Sequence, residues 1–329
     1  MDAKTTRLMS LSDVCKIGPK AVNPHADEAQ ARSKQICEQA GIYIPSFENY
    51  TTMSGYLYPE ASMERLVVLI TVTNMLYYAD EVYERHARQD PDPAEDARLR
   101  ALFEQTIEGI ITGEVPHEDE PLYRGALAIH KAMTPLTHIS WVKKLIPALV
   151  EHLNSTTYKL EDILQKEGGD PLERYIALRE LDGGMRPTIR MIEFANDFYL
   201  TDELRSHPFI QSIEAPTVSV GGLLNDIFSY EKEVLAYDSR FNLVAVFEDY
   251  YDLPFEHAVH KAVEVVNNHI AAFLALEQSI PVWEDPKTNE IVRRYVKGLR
   301  DQIKAAWYWQ LSTDRYRSKT SPFPELRMT

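Results

Sequence analysis

Cysteine is almost absent from this chain of 329 residues: Cys15 and Cys37 are the only two, 22 positions apart, with no third or fourth thiol. A pair so placed cannot supply the ligands of a structural zinc site, and a reducing compartment is the simpler inference. A long hydrophobic run is missing as well. The longest, Leu66–Val72 with Thr71 inside it, is far too short to cross a bilayer, and Met1–Ser10 has no signal-peptide apolar region. These absences predict a cytoplasmic protein without a membrane span. Positive charge is in deficit, with 35 Lys and Arg against 50 Asp and Glu and a formal net charge of −15. A surface that neutralises nucleic-acid phosphates needs the opposite balance, which argues against nucleic acid as a partner. An anionic small ligand stays open if carboxylates hold divalent cations against it, although simple solubility also accounts for an acidic surface.

Strand-like alternation is scarce and no repeat is evident, whereas 44% hydrophobic and 26% charged residues suffice for one large core. The expectation is an all-α fold, a single helical domain over 21–318 with tails at 1–20 and 319–329. Asn23-Pro24 reads as a cap and first turn of a helix reaching Ala40. A dense apolar segment, 62–86, predicts a helix buried on most sides, stopped by Gln89-Asp90-Pro91-Asp92-Pro93. Further helices are expected near 96–112, 121–134, 138–167, 171–183, 186–198, 202–236, 255–280 and 286–312. Between two of them, Asp182-Gly183-Gly184-Met185-Arg186-Pro187 should break the helical pattern. Such a break is either a plain corner or a place where backbone groups face a cavity.

Three groups of residues can carry chemistry. At about 100° per residue, Asn225, Ser229 and Glu233 share one helical face, giving an amide oxygen, a hydroxyl and a carboxylate suited to Mg²⁺. Lys232 sits close to that face and can reach a phosphate. The apolar flank of Val218, Val220, Leu223 and Leu224 places the column at the wall of a cleft, while a solvent-facing polar stripe has similar spacing. Asp80 and Glu84 form a carboxylate pair one turn apart, which repels unless a cation lies between them. The alternative is a helix end emerging into solvent. Arg179 and Arg315-Tyr316 offer bidentate donors for phosphate, though single arginines often serve only surface ion pairs. The ten histidines, and acidic clusters such as His117–Glu120, read as solvated surface.

Taken in order, these residues resemble the bacterial-type class I terpene synthases, with the likeness running from about Pro24 to Tyr316. Asn225, Ser229 and Glu233 match that family's second metal motif, with Lys232 in its usual place. Asp80 matches the first residue of the aspartate-rich motif, although Glu81 stands where a second aspartate is usual. Arg179, Asp182 and Gly183 match the diphosphate sensor, linker and effector. Arg315-Tyr316 matches the C-terminal pair, with Trp309 ahead of it, and Tyr58-Pro59 fits a segment before the aspartate-rich helix.

The resemblance implies a helical bundle around a central apolar cavity, with three Mg²⁺ ions held between the two acidic helices. It implies ionisation of a linear prenyl diphosphate, most often farnesyl diphosphate, and cyclisation to a sesquiterpene with release of diphosphate. Arg179, Lys232, Arg315 and Tyr316 would bind the diphosphate, and Tyr77 and Trp309 would wall the cavity unless they are ordinary core. A homodimer is compatible with it. Other readings are a diterpene synthase using geranylgeranyl diphosphate, a chain-elongating prenyltransferase, a di-iron bundle and a non-catalytic ligand-binding homologue. The Asn/Ser/Glu column disfavours the prenyltransferase. The di-iron reading needs paired Glu-x-x-His motifs, and only Glu114/His117 has that spacing.

Overall fold

In the computed structural model, residues 11–87, 93–155, 163–166 and 168–328 are described, with the side chains at 47, 83–87, 93 and 96 excepted. The expected stop at Gln89-Asp90-Pro91-Asp92 and the stretch 156–162 lie outside the described residues. Among the described residues there are eleven longer helices: α1 (Ala26–Ala40), α2 (Met63–Ala87), α3 (Pro93–Thr112), α4 (Pro121–Met133), α5 (Ile139–Ser155), α6 (Pro171–Asp182), α7 (Met185–Ala195), α8 (Pro208–Tyr230), α9 (Leu243–Tyr251), α10 (Phe255–Glu277) and α11 (Pro286–Ser312). Among the described residues there is no strand beyond one isolated bridge, Ser318 to Arg327, and no helix long and apolar enough to cross a membrane.

Two buried helices organise the rest. From Arg65 to Met75 every residue of α2 is buried, because apolar side chains point in all directions. Its hydroxyl and amide members bond back to their own helix, Thr71 to Val67 O at 2.7 Å and Asn74 to Ile70 O at 3.0 Å, whereas Arg65 donates outward to Leu136 O at 2.8 Å and Asp197 at 2.6 Å. Around α2 pack α1, α4, α5 and α7. The second hub, α8, touches α6, α7, α9, α10 and α11. Between the hubs lies a cavity of about 590 Å³, bordered by α2, α5, α6, α7, α8 and α11.

Four expectations are corrected. Asn23 does not cap α1. Its side chain reaches across to the carbonyls of Tyr58 and Ala61 at 2.8 Å each and accepts from His25 N, so the helix starts at Ala26. The single helix expected over 202–236 is divided. Pro208 keeps His207 extended at ψ 132°, His207 Nδ1 accepts from Phe209 N, and the short helix Asp202–Arg205 is separated from α8. At its far end α8 widens into a π-helix over Glu231–Ala236, a form that concentrates at functional sites. Finally, Leu11, Val14, Ile17, Phe323 and Leu326, read as tails, are buried in the common core. Several elements were missed altogether, mostly single turns such as Glu48–Thr51 and Asp314–Tyr316. α9 begins with an unbroken apolar run, Leu243–Phe247, that has no helical period to detect, and Met53–Leu57 is a five-residue turn of helix.

Candidate active site

The break between α6 and α7 falls where the two glycines predict it. Gly183 ends α6, donating to Arg179 O at 2.8 Å, and Gly184 adopts φ 67°, a left-handed conformation that glycine takes without a Cβ clash. What the sequence did not disclose is the matching pair on α8. A Cβ on Gly222 would stand 3.2 Å from Arg179 Cγ, and one on Gly183 would stand 3.4 Å from Gly222 Cα. Glycine on both sides lets the broken helix lie directly on α8, which is how Arg179 reaches Asn225.

Arg179 then holds three acceptors at once. Its Nε donates to Asp226 at 2.9 Å, Nη1 to Asp182 at 2.8 Å and Nη2 to Asn225 Oδ1 at 3.0 Å. Asp226, fully buried, also accepts from the Tyr175 hydroxyl and from Leu243 N, the first amide of α9, at 3.2 Å. Burial pushes the Asp226 carboxyl up to about 7, while Arg179 and the other donors pull it down. Neither Asp226 nor Tyr175 was singled out from sequence. Tyr175 is one turn from Arg179 on α6, so the shared face was legible, but its partner on α8 was not.

Of the remaining expected residues, Tyr77, Asp80, Asp182, Gly183, Asn225, Glu233, Trp309, Arg315 and Tyr316 all border the cavity with Arg179. Asn225 Nδ2 donates to Gln310 Oε1 at 3.1 Å and to the Tyr316 hydroxyl at 2.7 Å, so α11 and the C-terminal Arg-Tyr pair are tied to α8 through one amide. Ser229 differs from expectation. It is fully buried and donates to Glu233 Oε2 at 2.7 Å instead of bordering the cavity. Lys232 is likewise not on the wall. It lies 5.8 Å from the ring of Tyr50, and Arg315 packs over the same ring at 4.0 Å. Tyr50 in turn meets Tyr77 with ring centroids 5.4 Å apart. The side chain of Glu84 lies outside the described residues. Trp309 donates to Thr52 at 3.1 Å and meets Tyr316 edge-on.

One histidine is not surface, contrary to expectation. His152 on α5 is buried, borders the cavity and holds Nε2 4.0 Å from Asp80 Oδ2. Its presence follows from α5 crossing α2, which periodicity along one helix cannot report.

The donor set suits a hard divalent cation. No cluster of three or more His, Cys, Asp or Glu gathers among the described residues. The Asn225 amide and the Glu233 carboxylate border the cavity together with Asp80 of α2, and the Ser229 hydroxyl is bonded to Glu233 behind them. Asn225 Oδ1 gives one lone pair to Arg179 and keeps the other, so it can still bind an ion. Beyond this polar end, Met53, Leu57, Leu76, Met185, Met191 and Ala306 make the wall apolar.

A strand-free bundle that sets two acidic helices over such a pocket is a class I terpene synthase. The chain belongs to terpene synthase family 2: residues 71–272 match that family's C-terminal metal-binding profile. Sesquiterpene synthase 3 of Postia placenta is 34% identical over 274 residues, covering 83% of this chain and 72% of the relative. The (+)-T-muurolol synthase of Roseiflexus castenholzii, which cyclises (2E,6E)-farnesyl diphosphate, is 24% identical over 306 residues and 90% of each chain. Among solved structures, α-eudesmol synthase superposes with a TM-score of 0.76 at 18% identity over 91% of this chain and 98% of its own, a likeness of fold.

Proposed function

We propose that the chain ionises farnesyl diphosphate in a Mg²⁺-dependent step and cyclises the cation to a sesquiterpene, releasing diphosphate. The observation that carries this reading is that Asp80 of α2 and Asn225 and Glu233 at the far end of α8 border one cavity whose wall also carries the apolar side chains Met53, Leu57, Leu76, Met185, Met191 and Ala306. Asp80 and Glu84 on one side, and Asn225, Ser229 and Glu233 on the other, would hold the metal. Bound there, divalent ions supply charge neutralisation for the leaving diphosphate, and the family resemblance implies three of them.

The protein's own groups do the rest. Arg179 senses the diphosphate and, through Asp182, couples it to the Gly183 carbonyl at the helix break. Lys232, Arg315 and Tyr316 supply further donors to the phosphate oxygens as negative charge develops. Their chain positions converge because Tyr50 and Asn225 connect α8 to the C-terminal segment. Tyr77 and Trp309 present aromatic faces to positive charge, and the apolar wall excludes the water that would quench it. A fifteen-carbon substrate is supported by the sesquiterpene synthases among the relatives.

Incubation with Mg²⁺ and ten-, fifteen- and twenty-carbon prenyl diphosphates tests the reading. We expect diphosphate release and a cyclic hydrocarbon or alcohol from the fifteen-carbon chain, read by gas chromatography and mass spectrometry. Intact substrate at all three lengths would overturn it. Asn225→Ala and Glu233→Ala should each lower turnover by at least ~10²-fold with the fold retained; near-normal rates in both would remove the α8 column from the mechanism.

A further inference from the structure

Arg315 borders the cavity with Asp80, Arg179, Asn225 and Glu233, and it is held in an unusual way. Among the described residues its guanidinium makes no ion pair and no hydrogen bond, and Nε is buried without an acceptor. A largely buried arginine ordinarily has carboxylates or carbonyls beside it, as Arg179 and Arg65 do. Arg315 has aromatic faces instead. Its Cζ lies 4.0 Å from the ring centroid of Tyr50 and 5.4 Å from that of Tyr316. The negative face of a ring attracts a cation without accepting its N–H groups, so the charge is held in place while the donors stay uncommitted. A carboxylate in the same position would take those donors and neutralise the charge.

Tyr50 belongs to the four-residue helix Glu48–Thr51, which touches both α2 and the turn Asp314–Tyr316. It is not itself among the residues bordering the cavity. Its ring nevertheless meets three separate parts of the site: Arg315 of the C-terminal segment, Tyr77 of α2 with centroids 5.4 Å apart, and Lys232 of the π-helical turn, whose Nζ stands 5.8 Å from the centroid. We infer that Tyr50 is a positioning residue: its ring fixes Arg315, with its charge unneutralised, beside Lys232, so that the basic side of the diphosphate site is assembled before the ligand arrives. The inference rests on the terpene cyclase reading and deepens it. Without the ring the two cations repel each other and the long Arg315 side chain regains its rotamers, so that binding a diphosphate must then order it.

Tyr50→Phe keeps the aromatic face and drops the hydroxyl, whereas Tyr50→Leu and Tyr50→Met remove the face and keep apolar bulk. Calorimetric titration of inorganic diphosphate with Mg²⁺ into the full chain reads the effect without turnover. The folded Leu and Met variants should bind roughly tenfold more weakly, and the Phe variant within about threefold of the unaltered protein. A contribution made through Arg315 has a further signature that general loosening of the fold lacks: in an Arg315→Gln background, Tyr50→Leu should change the affinity by less than about twofold. Leu and Met variants that bind as tightly as the unaltered chain would overturn the inference. So would a Phe variant as weak as Leu, or the same loss with and without Arg315. An unaltered chain that binds no diphosphate with Mg²⁺ defeats the cyclase reading itself, and this inference with it.

Discussion

Arg179 commits three nitrogens to Asp226, Asp182 and Asn225, and only a planar fork has donors in those three directions. Arg179→Lys keeps the charge and loses the fork, so turnover should fall on the order of 10²-fold in steady-state kinetics. A loss under threefold would mean that charge alone suffices. Asp226 allows a pH test. Its carboxyl titrates at 3.8 ordinarily and is pushed up to about 7 by burial. In that window the folded chain retains a proton the unfolded chain has released, so stability falls as pH rises. Relative to Asp226→Asn, the unaltered protein should therefore lose stability from about pH 4 towards pH 7 in denaturant titrations. The opposite slope would show that Arg179, Tyr175 and Leu243 N outweigh burial.

At the scale of elements, the decisive device is a broken helix laid on a glycine-bearing one. A Cβ on Gly183 would stand 2.9 Å from Arg179 O, a backbone atom that cannot swing aside. Gly183→Ala should therefore cost about 1–3 kcal/mol in unfolding experiments and reduce turnover by displacing Arg179. Undiminished stability would show that the break tolerates a side chain. The break itself was legible, because Gly183-Gly184 and Pro187 interrupt a helical pattern. Its resting place on Gly221-Gly222 was not, since a glycine within an apolar run says nothing about which helix approaches it. The same holds for α9. Leu243–Phe247 is apolar without a period, yet α9 supplies an amide to Asp226 and so braces the site from behind. The π-helical turn at Glu231–Ala236 was hidden for another reason: the i, i+4 spacing of Ser229 and Glu233 is read as regular α-helix, and the widening there depends on packing.

For the whole molecule, the sequence was most informative where one helix carries its own record. Apolar density located α2, helical spacing located α11 and, inside one longer expected helix, α8, and the regular turn of each helix assigned the oxygen-bearing side chains of α2 and α8 to faces. It was least informative where two helices must meet. His152 beside Asp80, Tyr175 beneath Asp226, and Tyr50 between Lys232 and Arg315 all arise from packing between distant segments. The central claim is also of this kind, since it requires α2 and α8 to act together on one ligand. Calorimetric titration of inorganic diphosphate, with and without Mg²⁺, into the unaltered chain and into Asp80→Asn and Glu233→Gln tests it most directly. The account predicts binding that needs Mg²⁺ and weakens at least ~tenfold in each variant. Diphosphate binding that is indifferent to Mg²⁺, or equally tight in both variants, would contradict it.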